Sequence, residues 1–125
     1  MITKEITLCG KQVTLAYCFA TEIAFRDLSG EDMTDFISEA VSALQSKRMP
    51  DIKKTIFAIL AAITAHYNYS EEEPPVNSAV IMNECTPEEF GTAIGTLITL
   101  RAQFYHIPAG EPQEKEEQGT EQKNA

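Results

Sequence analysis

Between Thr3 and Phe19 the chain alternates apolar and polar residues around a Gly-Lys pair, and after Phe19 the alternation stops. That change of period constrains the fold more than any other feature. Successive strand side chains point to opposite faces. A two-residue II′ turn takes glycine at its first central position, so Gly10-Lys11 as the turn would pair Cys9 with Gln12, Leu8 with Val13 and Ile6 with Leu15. Ile2, Ile6, Leu8, Val13, Leu15, Tyr17 and Phe19 then share one face, interrupted only by Lys4. Thr3, Glu5, Thr7, Gln12 and Thr14 share the other. A lone hairpin is marginal in water, so its apolar face needs a cover that the downstream segments must supply.

Those segments read as helices. Ile23, Ala24 and Leu28 predict a first helix over about 20–29, stopped by Gly30. A second is predicted over about 32–46 with Phe36, Ile37, Ala40, Val41 and Leu44 inward. Pro50 opens a third over 50–67, because proline suits the first helical turn. Its stripe of Ile52, Ile56, Ile59, Leu60, Ile63 and Tyr67 is widened by Phe57, Ala58, Ala61 and Ala62, and a helix apolar nearly all round belongs at the centre. The polar, proline-rich run 68–75 breaks the pattern. A short helix is predicted over 78–84. Thr86-Pro87-Glu88-Glu89 then forms a capping box with proline at N1, opening a last helix over 87–105. That helix carries a main stripe of Phe90, Ala93, Ile94, Leu97, Leu100 and Phe104. A second stripe comprises Gly91, Gly95, Ile98, Ala102 and Tyr105, and two stripes imply two packing partners. The expected architecture is α+β, mostly α: a hairpin over 3–18 packed on a bundle of about five helices, in one domain spanning 1–108.

Residues 109–125 contain no Ile, Leu, Val, Met, Phe, Tyr or Cys. Without burial to offset ordering entropy they are expected to form a disordered acidic tail. The chain's formal net charge is −9; the tail's five glutamates and two lysines carry −3 of it and leave −6 on the body. That charge repels nucleic-acid phosphates, so no nucleic acid is expected as a partner. The N-terminal MITKEITLCG lacks the features of a secretory signal. No apolar run reaches the ~20 residues of a membrane span, so no membrane association is expected. Cys9, Cys18 and Cys85 are an odd, widely spaced set without CxxC. A reduced, cytoplasmic protein is the expectation.

Catalysis would need a nucleophile, a base and an orienting group. His66 and His106 fall near predicted helix ends, where a cation suits the helix dipole. Cys85 precedes a helix N-terminus, which favours a thiolate, yet nothing links it to either histidine. Glu71-Glu72-Glu73 lacks the alternation and glycine of a calcium loop. No GxGxxG, GxSxG or HExxH occurs. Enzyme activity, catalytic residues, cofactor and metal are all expected to be absent. Protein binding remains, through the hairpin face (Val13, Leu15, Tyr17) or the second stripe (Gly91, Gly95, Ile98, Ala102, Tyr105), with core packing the open alternative for both.

The opening KEITLCGKQVTLAYCFATEIAFRDLSGEDM resembles the start of the tail assembly chaperones of long-tailed, siphovirus-like bacteriophages and prophages. In that family a strand, a Gly-Lys turn and a second strand lead into a helix with a large apolar residue, here Phe25, that finishes at a glycine, here Gly30. IFAILAAITAHY and TPEEFGTAIGTLITL look like its later helices, so the resemblance covers residues 3 to about 106. It implies a protein that holds the tape measure protein before tail tube polymerisation and is absent from the mature virion. A longer form of itself made by ribosomal frameshifting is a further implied partner; homo-oligomerisation is an expectation from the second stripe of the last helix, not from the resemblance. The alternatives are a minor tail or connector subunit and a small acidic regulator binding a host protein.

Overall fold

The computed structural model describes residues 1–107; the expected acidic tail lies outside them. Strands β1 (Ile2–Leu8) and β2 (Lys11–Tyr17) are followed by helices α1 (Phe19–Ser29), α2 (Met33–Gln45), α3 (Ile52–Ser70), α4 (Ser78–Glu84) and α5 (Pro87–Phe104). The α+β, mostly α class is as expected.

The hairpin keeps its expected inner face but not its expected register. Ile6 pairs with Val13, Thr7 with Gln12 and Leu8 with Lys11. The turn is therefore Cys9-Gly10, and both residues have positive φ, +55° and +75°. This is a I′ turn, whose twist matches that of the flanking strands. The pairing differs from the sequence reading by two positions on one strand, and a shift of two preserves which side each residue faces. Ile6, Leu8, Val13, Leu15 and Tyr17 are accordingly buried. Phe19, assigned to the same face, instead begins α1 and is 64% exposed.

Two helices supply the cover, α3 packing on β2 and α5 on β1. Thr14 N–H also donates to Tyr67 Oη at 3.2 Å, which occupies a backbone donor of β2 from the end of α3. Helix α3 is central: Ile56, Ala58, Ile59, Ala61, Ala62 and Ile63 are all buried, and it touches α1, α4, α5 and β2. Its ends differ from the expected ones. Pro50 is not its first residue; Asp51 is the N-cap, its carboxylate accepting Lys54 N–H at 2.9 Å. The helix then runs on through Ser70 and stops at Glu71, which has φ +58°.

The inner stripes of α1 and α2 are also corrected. On α1 Thr21 and Phe25 are buried, whereas Ile23 and Leu28 face solvent. Thr21 Oγ1 accepts Cys18 N–H and donates to Ala16 C=O, so the threonine hydroxyl is satisfied at the strand-to-helix corner. On α2 Met33 and Ala43 join Phe36, Ile37 and Ala40 inside, while Leu44 is exposed. Gly30 ends α1 at φ +78°, as expected.

The capping box of α5 forms as the motif requires: Thr86 Oγ1 accepts Glu89 N–H and Glu89 Oε1 accepts Thr86 N–H, each at 3.1 Å. Glu89 Oε2 also accepts Gly10 N–H at 3.1 Å, clasping the hairpin turn to the start of α5 across the chain. Backbone donors from Thr86 and Gly10 hold its carboxyl below the ordinary glutamate value.

Candidate protein-binding surface

The two stripes proposed for binding lie in different environments. Val13, Leu15 and Tyr17 are wholly buried, so the hairpin face is core and a partner reaches it only by opening the domain. On α5, Gly91 and Gly95 are exposed, Ile98 and Ala102 are half-buried, and Tyr105 is exposed. Ile98 packs against the core. Apart from the helix's own backbone and the chain neighbours, no described residue lies within 4 Å of where a Cβ would project from Gly91 or Gly95, so the close approach these glycines permit is not used among the described residues.

Tyr17 and Tyr105, one from each stripe, converge on a single acceptor. Their hydroxyls donate to Glu22 Oε2 at 2.8 and 2.6 Å, joining β2, α1 and the end of α5. Burial, and then the Glu22 carboxylate, push the Tyr17 phenol far up and that of Tyr105 up to about 12.

Cys85 lies beside Cys9, a proximity that the wide sequence spacing concealed, and its Sγ is 3.6 Å from Thr86 C=O. Burial, followed by the neighbouring Cys9, pushes it up to about 12, overcoming the thiolate preference expected near a helix N-terminus. His66 packs edge-on against Tyr67, with ring centroids 4.6 Å apart, and His106 follows α5 with φ +59°. Among the described residues no group of three or more His, Cys, Asp or Glu is placed to hold a metal ion, and no helix is long and apolar enough to cross a membrane.

These raised values fix the sign of an alkaline response. Cys85 and Tyr105 titrate near 9.0 and 10.0 when unperturbed, and each near about 12 in the fold. Folding favours their protonated forms, so their contribution is complete below the unfolded values and is lost as pH rises through the folded ones. The urea midpoint is therefore expected to be level near neutrality and to fall between about pH 9 and about 12. Tyr105→Phe should make that fall shallower. A midpoint that rises over this range would contradict the assignment.

The apolar surface left in solvent was not located by the sequence reading. One part is a ridge on α1 formed by Phe19, which meets Phe104 of α5 edge-on at 5.2 Å, and by Ile23 one helical turn further along. Another is a groove of about 180 Å³ between the start of α3, helix α4 and the start of α5, with almost wholly apolar walls. Met49, Ile52 and Met82 line it from outside the core, at 49%, 60% and 61% exposure, while Ile56, Ile81 and Phe90 form its floor. The spacing of Ile52 fits the inner stripe of α3, yet the residue is exposed. It occupies the first turn, beyond the reach of the core. The methionines carried no periodic signal, one being in a connection and the other in a two-turn helix.

No protein-family model, no curated protein and no solved structure matches the chain.

Proposed function

We propose that this protein is a tail assembly chaperone of a long-tailed bacteriophage or prophage, which binds the tape measure protein and keeps it soluble until the tail tube polymerises. The reading draws on the resemblance of residues 3–106 to that family and on the order of its elements, a hairpin followed by helices. The observation that carries it is the apolar surface left outside a complete core: Met49, Ile52 and Met82 around one groove, and Phe19 with Ile23 one turn along on α1. Scattered single apolar side chains are normal on a protein surface, whereas grouped ones mark interaction sites. An acidic body keeps such a surface soluble and steers basic partners toward it. The second stripe of α5, with open space above Gly91 and Gly95, offers a face to which another helix backbone can come close.

On this reading the work is done by binding without a chemical step, in the host cytoplasm, and the protein is absent from the finished particle. Co-expression with the tape measure protein encoded beside it tests the proposal. The tape measure protein is expected in the pellet when expressed alone and in the supernatant, co-purifying with this chain, when both are made. A tape measure protein that is soluble alone, or that does not co-purify, would overturn it. Stoichiometric amounts in purified virions would favour the structural-subunit alternative.

A further inference from the structure

We propose that the groove formed by the start of α3, helix α4 and the start of α5 is the docking site for one amphipathic helix carrying basic residues beside its apolar stripe. The inference rests on the client-holding function above and names the kind of client segment taken. A volume of about 180 Å³ is below the ~300–1,000 Å³ of small-molecule pockets and fits anchoring side chains better than a free ligand. Amphipathic helices lay such side chains into apolar grooves at helical spacing. Met49 and Met82 at the rim suit this, because unbranched, polarisable methionine adapts to different apolar partners.

Charge selects the occupant. Asp51, Glu84 and Glu88 are exposed, and each adjoins a groove-lining residue in sequence; Arg48 and Lys53 are the basic counterparts. The positive ends of α3 and α5 are already met by carboxylates, Asp51 at one and Glu89 at the other. Counting Glu89 beside Phe90, the residues that adjoin the groove lining in sequence include four carboxylates and two cations, and the body carries −6. A second copy would bring like charge to like charge. The chain's own residues 109–125 carry −3 and contain no Ile, Leu, Val, Met, Phe, Tyr or Cys to place in the groove. A basic amphipathic helix satisfies both the walls and the rim.

The test uses the full chain and a synthetic Leu/Lys amphipathic helix of about 18 residues, five turns, bearing one tryptophan. The protein contains no Trp, so indole emission and anisotropy report the probe alone. Binding should blue-shift the emission and weaken as salt rises. The double variant Ile52→Gln/Met82→Gln, which changes no charge and alters exposed positions, is expected to weaken binding about tenfold. Ile23→Gln, on the α1 ridge and equally exposed, should stay within about twofold. Loss in Ile23→Gln but not in the double variant overturns the location, and equal binding of a Leu/Glu probe overturns the charge rule. Self-association of the wild type that the double variant abolishes would make the occupant a second copy. The two proposals fail differently. If the double variant still solubilises the tape measure protein as the wild type does, the groove assignment is wrong and the chaperone function stands. If the tape measure protein is soluble alone, the function is wrong whatever the probe does.

Discussion

Phe25→Ala is expected to lower the unfolding free energy by roughly 3–5 kcal/mol, the usual cost of emptying a buried phenylalanine site. The ring is wholly buried on α1, tilted against that of Phe36 on α2 with centroids 5.4 Å apart. Helix α1 also packs along the central helix α3, so the vacated space lies between three elements that are each held by other contacts. Partial collapse is therefore restricted, which places the cost toward the upper part of the range. Against a total stability of about 5–15 kcal/mol for a domain, the loss is large enough to populate the unfolded state. A urea titration should show a lower midpoint with an unchanged slope. Ile23→Ala, two residues earlier on the same helix and 62% exposed, should change stability by no more than about 0.5 kcal/mol. Equal losses at the two positions would mean that α1 is rotated relative to the packing described here.

Gly91→Ala and Gly95→Ala are expected to stabilise the protein. Glycine inside a helix is about 1 kcal/mol less favourable than alanine, because it loses more backbone freedom on folding. Both glycines lie within α5, and an added methyl at either meets nothing within 4 Å. The double variant should gain about 2 kcal/mol, or roughly 8–16 °C in Tm for a domain of this size. Gly30→Ala should do the opposite, because Gly30 holds φ +78° and alanine is strained there. If the α5 stripe also meets the client, the stabilised double variant will bind it less well. A gain of stability joined to a loss of co-purification separates a binding role for these glycines from a merely neutral one. An unchanged or lowered Tm would show that the helix is not formed as described.

Much of this architecture could be read from local pattern. The parity of Ile6, Leu8, Val13, Leu15 and Tyr17 depends only on the alternation of strand side chains, and it survived an incorrect choice of turn. The α5 start was equally readable, since Thr86, Pro87 and Glu89 satisfy backbone donors within one turn of helix. The exposed apolar surface was far less legible. Periodicity identifies residues that can share a face, but it does not say where along a helix the neighbouring element ends. Ile52 and Leu44 fit their stripes by spacing and are exposed because each lies near an end of its helix. Ile23 fits a helical spacing, yet Thr21 and Phe25 are the residues that α1 turns inward.

The hairpin turn divides the two kinds of information most clearly. Alternation and the glycine required a tight turn near residue 10, and those are local properties. The choice of Cys9-Gly10 places a non-glycine residue in the left-handed region, a conformation that costs free energy. That turn aims Gly10 N–H at Glu89 Oε2, where α5 already presents a carboxylate at its capping box. The partner is distant in the chain, so no local pattern could announce it. Backbone periods and caps are set by neighbours in sequence. Register, exposure and the groove depend on which elements meet in space.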